Sequence, residues 1–269
     1  MLKRIGTAVG LFVLCAWSIL RVARPPAPVP ATAADTVFSA ERALHHVEAI
    51  AHRPHALGMP EHDQVRDYIS AQLTAMGLRS QLQQATGIGT RYQEAGRVEN
   101  VLAWLPGSDP KGKALLLVAH YDGVGAGPAA GDDGAGVAAL LETLRALRAR
   151  KTPLAHDVFV LFSDGEESGL LGAAAFVREH PWAKDVSMVL NFEARGTGGR
   201  SFMFETGPGN LDAARVLRAA GGATAASVYT TVYRTLPNDT DLSEFAALGL
   251  PALNFAFTDG VELYHTSGD

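Results

Sequence analysis

Cysteine is nearly missing from this chain of 269 residues: the single one, Cys15, lies inside an N-terminal apolar stretch. An intrachain disulfide is therefore excluded, as is metal or nucleophile chemistry built on thiolates. Basic charge is not in surplus either. The 23 Lys and Arg against 28 Asp and Glu leave a net charge of -5, and no basic run stands out. That balance argues against nucleic acid as a partner. Aromatic residues are sparse at 7%, and no internal repeat is visible. The stretch Gly123 to Gly131 is rich in glycine but lacks the G-x-G-x-x-G spacing, so it is not read as a dinucleotide loop. What remains is 47% hydrophobic and 19% charged, long enough for one large α/β domain with a substantial core.

The N-terminus stands apart. Lys3 and Arg4 precede an apolar run from about Ile5 to Leu20, and Arg21 and Arg24 follow it. Residues 1–24 read as a membrane anchor or a signal segment, with the uncleaved anchor preferred. The A-x-A pattern Ala31-Thr32-Ala33 sits far beyond the apolar run for a cleavage site. Basic residues at both ends leave the positive-inside rule nearly silent on orientation. The expectation is a folded C-terminal domain on the extracytoplasmic side, or a secreted one if the segment is cleaved. Residues 25–38, rich in Pro and Ala, read as a semi-rigid linker to a domain over 39–269.

Strand and helix signals then alternate. Ser39 caps a helix that carries Ala43, Leu44, Val47, Ile50 and Ala51 inward. Pro60 opens the next helix and Gly77 closes it. Strands are predicted over Arg79–Ala85, Arg97–Leu105, Ala114–Ala119, Asp157–Phe162, Val186–Phe192, Ser201–Glu205 and Pro251–Phe257. Helices are predicted from Gly134, over Leu170–Glu179, over Leu211–Ala220 and over Asp241–Leu248. Strands alternating with helices predict a three-layer αβα fold with a mostly parallel central sheet.

The chemistry gathers at strand ends. Apolar strands deliver His120 and Asp122, Glu166 and Glu167, Glu193 and finally His265, with Asp132 and Asp133 in the loop after the first. In an open α/β sheet, ligands bind beyond the carboxyl ends of the strands. Several carboxylates brought together there are costly unless cations neutralise them. Histidine with carboxylate oxygen and no thiolate suits Zn²⁺ or a similar divalent ion.

These residues resemble a known family, the M28 metallopeptidases, whose members are di-zinc aminopeptidases. The resemblance runs from about His52 to the C-terminus and is nearest to the membrane-anchored branch of endoplasmic-reticulum metallopeptidases. It rests on HRPHALGMPEH at 52–62, HYD at 120–122, GDDGAG at 131–136, DGEESGLLGA at 164–173, NFEARGTGG at 191–199 and YHT at 264–266. It implies a zinc-dependent exopeptidase (phosphorylase/hydrolase-like) fold and two Zn²⁺ per chain. His120 and Glu193 are implied to hold one ion, Glu167 and His265 the other, and Asp132 rather than Asp133 to bridge them. The Asp132-Asp133 peptide is implied to be cis. Asp122 is implied to orient His120 from behind. Glu166 is implied to be the general base on a water between the zincs, passing its proton to the leaving amine. Tyr264 has two readings, a core tyrosine or a hydroxyl that donates to the tetrahedral oxyanion.

The implied reaction is hydrolysis of N-terminal peptide bonds in a peptide or protein substrate. Two alternatives stay open: a glutaminyl-cyclase-like acyl transferase with a single zinc, and an inactive peptide-binding ectodomain. Asn238 and Asp241 in PNDTD read as helix caps before pocket residues, and Arg195 and Arg234 as surface residues before ligands of a substrate carboxylate. His45, His46, His52, His55 and His62 show no partner spacing and read as surface or packing residues. Family members usually continue past the last histidine motif, whereas here Asp269 follows it closely. The resemblance therefore reads the domain as C-terminally incomplete, with His265 on a nearly free end, poorly held.

Overall fold

A computed structural model describes residues 2–23, 25–109 and 111–269 of the chain. Helix α1 spans Leu2–Ala23. Met1 and Arg24, the ends of the segment read as an anchor or signal, lie outside the described residues. Among the described residues, no helix is long and apolar enough to cross a membrane. The stretch 25–38 carries no regular element. Arg42 nevertheless donates to the carbonyls of Ala31, Ala33 and Val37, and Ser39 Oγ to that of Val29.

Helix α2, Ala40–Ile50, begins as its sequence requires: Ser39 Oγ accepts from Arg42 N at 3.2 Å. Helix α3, Pro60–Ala75, starts on its proline and buries Val65, Ile69 and Leu73. Strands β1 (Arg79–Ile88) and β2 (Ala95–Leu105) form a hairpin. Then come β3 (Ala114–His120), α4 (Gly134–Arg148), β4 (Val158–Ser163), α5 (Leu171–Glu179) and β5 (Val186–Phe192). Strand β6 (Phe202–Thr206), α6 (Leu211–Ala220), β7 (Thr224–Ala225), α7 (Ser227–Tyr233), α8 (Leu242–Ala246) and β8 (Ala252–Ala256) complete the order.

The eight strands form one sheet in the order β1-β2-β4-β3-β5-β8-β6-β7. The central four, β4-β3-β5-β8, are parallel. The outer pairings of β1 with β2, β2 with β4 and β6 with β8 are antiparallel. Parallel strands covered on both faces read as continuous apolar runs, which is how β3, β4 and β5 look in sequence. Alternate residues enter opposite cores. Val101, Ala103, Leu117, Ala119, Val160 and Phe162 pack with α2, α3 and α4. Leu102, Leu116, Val118, Phe159 and Leu161 pack with Phe176 of α5 and Phe245 of α8. The molecule is thus a three-layer α/β/α sandwich with a parallel centre, as the alternation of elements predicts.

Two elements depart from expectation. Helix α7 was not foreseen, because SVYTTVY is β-branched and aromatic and lacks a helix signature. Helix α8 is shorter than Asp241–Leu248, and Asp241 makes no side-chain cap bond. Its carboxylate turns inward instead.

The register sets the site. His120 pairs with Ser163 across β3 and β4, and Asn191 with Asn254 across β5 and β8. The loops leaving these strands therefore open at one edge, above the carboxyl ends of the parallel strands.

Candidate metal centre

Two donor clusters share one residue. The ligand atoms of His120, Asp132 and Glu193 lie within 4.8 Å of one another, and so do those of Asp132, Glu167 and His265. His120 Nε2 is 3.2 Å from Asp132 Oδ1 and 3.6 Å from Glu193 Oε2. His265 Nε2 is 3.1 Å from Asp132 Oδ2 and 2.9 Å from Glu167 Oε1. The two Asp132 oxygens face different histidines. A third cluster of His120, Glu166 and Glu167 lies alongside. All five residues expected as ligands meet here, with Glu166 beside them.

Local structure explains each placement. His120 ends β3, and its Nδ1 lies 2.9 Å from the carbonyl oxygen of Asp122. In the neutral tautomer that donates from Nδ1, the Nε2 lone pair faces the Asp132 and Glu193 oxygens, the state a metal ligand requires. The Asp122 carboxylate does something else: its two oxygens accept from Glu166 N at 3.0 Å and Glu167 N at 3.2 Å. It stands 3.6 Å from His120 Nδ1. Asp122 thus meets the imidazole through its main chain and the glutamate turn through its side chain. Glu193 follows β5, and its Oε1 accepts from Asn191 Nδ2 at 3.1 Å. Residues two apart on a strand share a face, a signal in NFE that the sequence reading passed over.

The adjacent aspartates separate cleanly. Asp132 faces both imidazoles, while Asp133 Oδ1 caps α4 by accepting from Gly136 N at 3.0 Å. The peptide between them is cis.

The expectation of a loosely held His265 is overturned. Asp269 is 4% exposed. Its Oδ2 accepts from His265 N at 3.1 Å, and its Oδ1 accepts from Gly131 N and Asp132 N, each at 3.1 Å. One buried carboxylate joins the Asp132 loop to the His265 loop, and His265 keeps a left-handed φ of 59° there. A Cβ on Gly131 would come within 2.8 Å of Asp269 Oδ1, so only glycine allows this approach.

The electrostatics describe a site short of positive charge. Burial lifts the carboxyls of Glu166, Glu167 and Glu193 above their usual range. Burial opposes protonation of His120, but Asp122, Asp132 and Glu193 raise its pKa overall. His265 is likewise opposed by burial and raised by Asp132 and Glu167, to about 9. Asp132, despite burial, is held down to about 2 by the two imidazoles. Asp133 Oδ2 is buried without a hydrogen-bond donor, and Glu167 Oε1 has only the His265 imidazole beside it. A divalent cation bound by nitrogen and oxygen answers this deficit, so the donor set fits zinc.

Around this centre lie groups that spacing alone did not reveal. His62, from α3, bonds Asp164 Oδ1 at 2.7 Å and stacks on Tyr121 at 4.9 Å. It thus braces the loop that carries Glu166. Asp241 is 1% exposed and takes a hydrogen bond from Ser163 Oγ, and burial pushes its carboxyl up to about 7. It is a buried partner of β4, not a cap. Arg195 donates to the Tyr264 hydroxyl, while Arg234 lies exposed.

A cavity of about 280 Å³ adjoins the centre, bordered by Glu193, Arg195 and Tyr264. Its far wall is Phe202 and Phe204 of β6 with Tyr229, Val232, Tyr233 and Leu236 from α7 and the turn beyond it. Asn238 and Asp239 line its polar side.

A family model described as Peptidase family M28 matches residues 100–269. Endoplasmic reticulum metallopeptidase 1 of Mus musculus is 34% identical over 176 residues, covering 64% of this chain and 20% of that protein. A vacuolar membrane protease of Candida albicans (strain WO-1) is 34% identical over 234 residues, covering 83% of this chain and 26% of its own. The chain therefore spans only 20% and 26% of the length of these relatives. Among solved structures, a glutaminyl cyclase of Porphyromonas gingivalis superposes with a TM-score of 0.65 at 23% identity, over 88% of each chain. A leucine aminopeptidase precursor from Bacteroides thetaiotaomicron gives 0.66 at 18% identity, over 85% of this chain and 88% of that one. These likenesses are of fold, and the fold does not choose between the two reactions.

Proposed function

The chain belongs to peptidase family M28, and from that premise we propose that it is a zinc-dependent exopeptidase, an aminopeptidase acting on the N-termini of peptides or proteins. The observation that carries this reading is the twin donor set around Asp132, with one oxygen toward each histidine. In the proposal His120 and Glu193 hold one zinc, Glu167 and His265 hold a second, and Asp132 bridges them. Zinc, when bound, supplies Lewis acidity that lowers the pKa of water and polarises a carbonyl.

The chain's own residues do the rest. Glu166 accepts a proton from the attacking water and returns it to the leaving amine. Burial raises its proton affinity, which suits exchange nearer neutral pH than an ordinary glutamate allows. Asp122 fixes the turn that aims Glu166 to the substrate side and Glu167 to the ligand side. Tyr264 donates its hydroxyl to the oxygen that gains charge as water adds. The apolar cavity receives the side chain of the residue being released. Segment 1–24 attaches the chain to a membrane, residues 25–38 link it, and residues 39–269 form the peptidase domain on the extracytoplasmic side. The names of the endoplasmic reticulum and vacuolar membrane relatives support the membrane placement.

The test pairs the full chain with its Glu166→Gln variant on a panel of amino-acid anilides and N-terminal glutaminyl peptides. Anilide hydrolysis that falls about 10²–10⁴-fold in the variant, with bound metal retained, is the expected result. Cyclisation of glutaminyl peptides without anilide hydrolysis turns the assignment to the single-zinc acyl transferase. Bound metal without either reaction leaves a binding ectodomain.

A further inference from the structure

Arg195 stands out among the arginines by its partner. Arg42 and Arg145 pair with Glu142, Arg66 with Glu99, and Arg91 with Asp239. Arg195 borders a centre crowded with carboxylates, yet its side chain bonds none of them. Its Nη1 donates to the Tyr264 hydroxyl at 2.9 Å, and its guanidinium lies 4.5 Å from the Tyr264 ring centroid. Tyr264 in turn stacks on His265, centroids 3.8 Å apart at 16°. The three side chains form one column from the cavity wall to the metal centre.

The chemistry of this contact is one-sided. A guanidinium has donors and no acceptor, so the phenolic oxygen must accept. The phenolic proton is then left over. Among the described residues, no carbonyl or carboxylate accepts it. Had Tyr264 been bonded to a carboxylate, its proton would be spent within the protein. Arg195 prevents that, and a donor that is itself hydrogen-bonded to a cation is polarised by it.

The geometry points to Arg195 as the positioning residue that fixes Tyr264 as an acceptor toward the protein and thereby commits its hydroxyl proton to the substrate's carbonyl oxygen. This inference rests on the exopeptidase reading and deepens it. No bond to Tyr264 is broken: the proton stays on the phenol, and its hydrogen bond strengthens as the carbonyl oxygen gains charge.

The test is a double-mutant cycle with Arg195→Met, which keeps the apolar stem, and Tyr264→Phe. Removing one oxyanion donor costs about 10²–10³-fold in kcat, the loss expected for Tyr264→Phe. Arg195→Met is expected to lower kcat about tenfold or more, with KM within about twofold of the parent. In the Tyr264→Phe background, Arg195→Met costs nothing further, because its partner is already gone. Arg195→Lys recovers part of the loss. Equal losses in both backgrounds overturn the proposal. So does a loss confined to KM for substrates with a free carboxylate, which makes Arg195 a direct substrate ligand. A readout independent of turnover separates this from a failure of the exopeptidase reading. With [¹³Cζ]tyrosine, the resonance assigned to Tyr264 shifts in Arg195→Met whether or not any substrate is cleaved. An unmoved resonance refutes the bond itself.

Discussion

Replacing Asp269 with alanine removes three hydrogen bonds at once, from the amides of Gly131, Asp132 and His265. Hydrogen bonds to a charged group are worth about 1.5–3 kcal/mol each, and groups on one carboxylate are not additive. The His265 segment is partly exposed, so water can reclaim its amide, while Gly131 and Asp132 lie closer in. A loss of about 3–5 kcal/mol of stability follows, a large share of the roughly 5–15 kcal/mol typical of a domain. The second consequence is local. His265 loses what holds its left-handed backbone, and Asp132 loses the anchor of its amide. Partners that orient metal ligands typically govern about 10–100-fold in affinity, so zinc at the Glu167–His265 cluster weakens by that order. Asp269→Asn keeps one acceptor oxygen for the Gly131 and Asp132 amides and falls between. Urea unfolding in chelator measures the first effect, and competition with a zinc indicator measures the second. An Asp269→Ala protein with parental stability and parental zinc affinity would refute this reasoning.

The other predictions concern the loop, the core and the cavity. His62 has its pKa raised: burial lowers it, but the hydrogen bond and charge of Asp164 outweigh that. A raised folded value stabilises below the unfolded value of about 6.5 and is lost as pH rises through the folded one. The urea midpoint of the parent therefore exceeds that of His62→Gln by more at pH 6 than at pH 9; a constant gap would contradict the pairing. A Cβ on Gly172 would sit 2.3 Å from Asn100 Oδ1 and 2.4 Å from the Asp164 carbonyl. Gly172→Ala is expected to cost about 1–3 kcal/mol and to disturb the loop bearing Glu166, seen as lower kcat along with lower stability. Leu236→Asp places a charge on the apolar cavity wall. Its preference for leucine over alanine anilides is expected to fall about tenfold, and unchanged selectivity would place the substrate side chain elsewhere.

Much of the architecture was legible because two regularities are local. Strands covered on both faces announce themselves as apolar runs, and Ser39, Pro60 and Gly77 mark helix ends by their own backbone chemistry. The ligand residues were legible because His120 and Glu193 stand at the ends of buried strands and Asp132, Glu167 and His265 in the loops that leave such strands, where an α/β sheet gathers its ligands. What spacing alone did not reveal depends on contacts between distant segments. Asp269 holds His265 by reaching back to Gly131 and Asp132, and His62 meets Asp164 across two layers. The Asp122 carboxylate serves the Glu166 turn, far along the chain, more closely than the neighbouring histidine. Asp241 looked like a cap because it precedes a helix, but Ser163 on β4 draws it inward. Helix α7 forms from residues with little helical preference, and Phe202 and Phe204 pack against its Tyr229 and Tyr233.

The central claim is that Asp132 joins two metal positions, each with its own histidine. Zinc content by elemental analysis, on the parent and on His120→Ala, His265→Ala and Asp132→Ala, tests it most directly. The account predicts near two zinc ions per chain in the parent, about one in each histidine variant and a further loss when the bridging aspartate is removed. A parent that retains no zinc, or histidine variants that lose none, would contradict it.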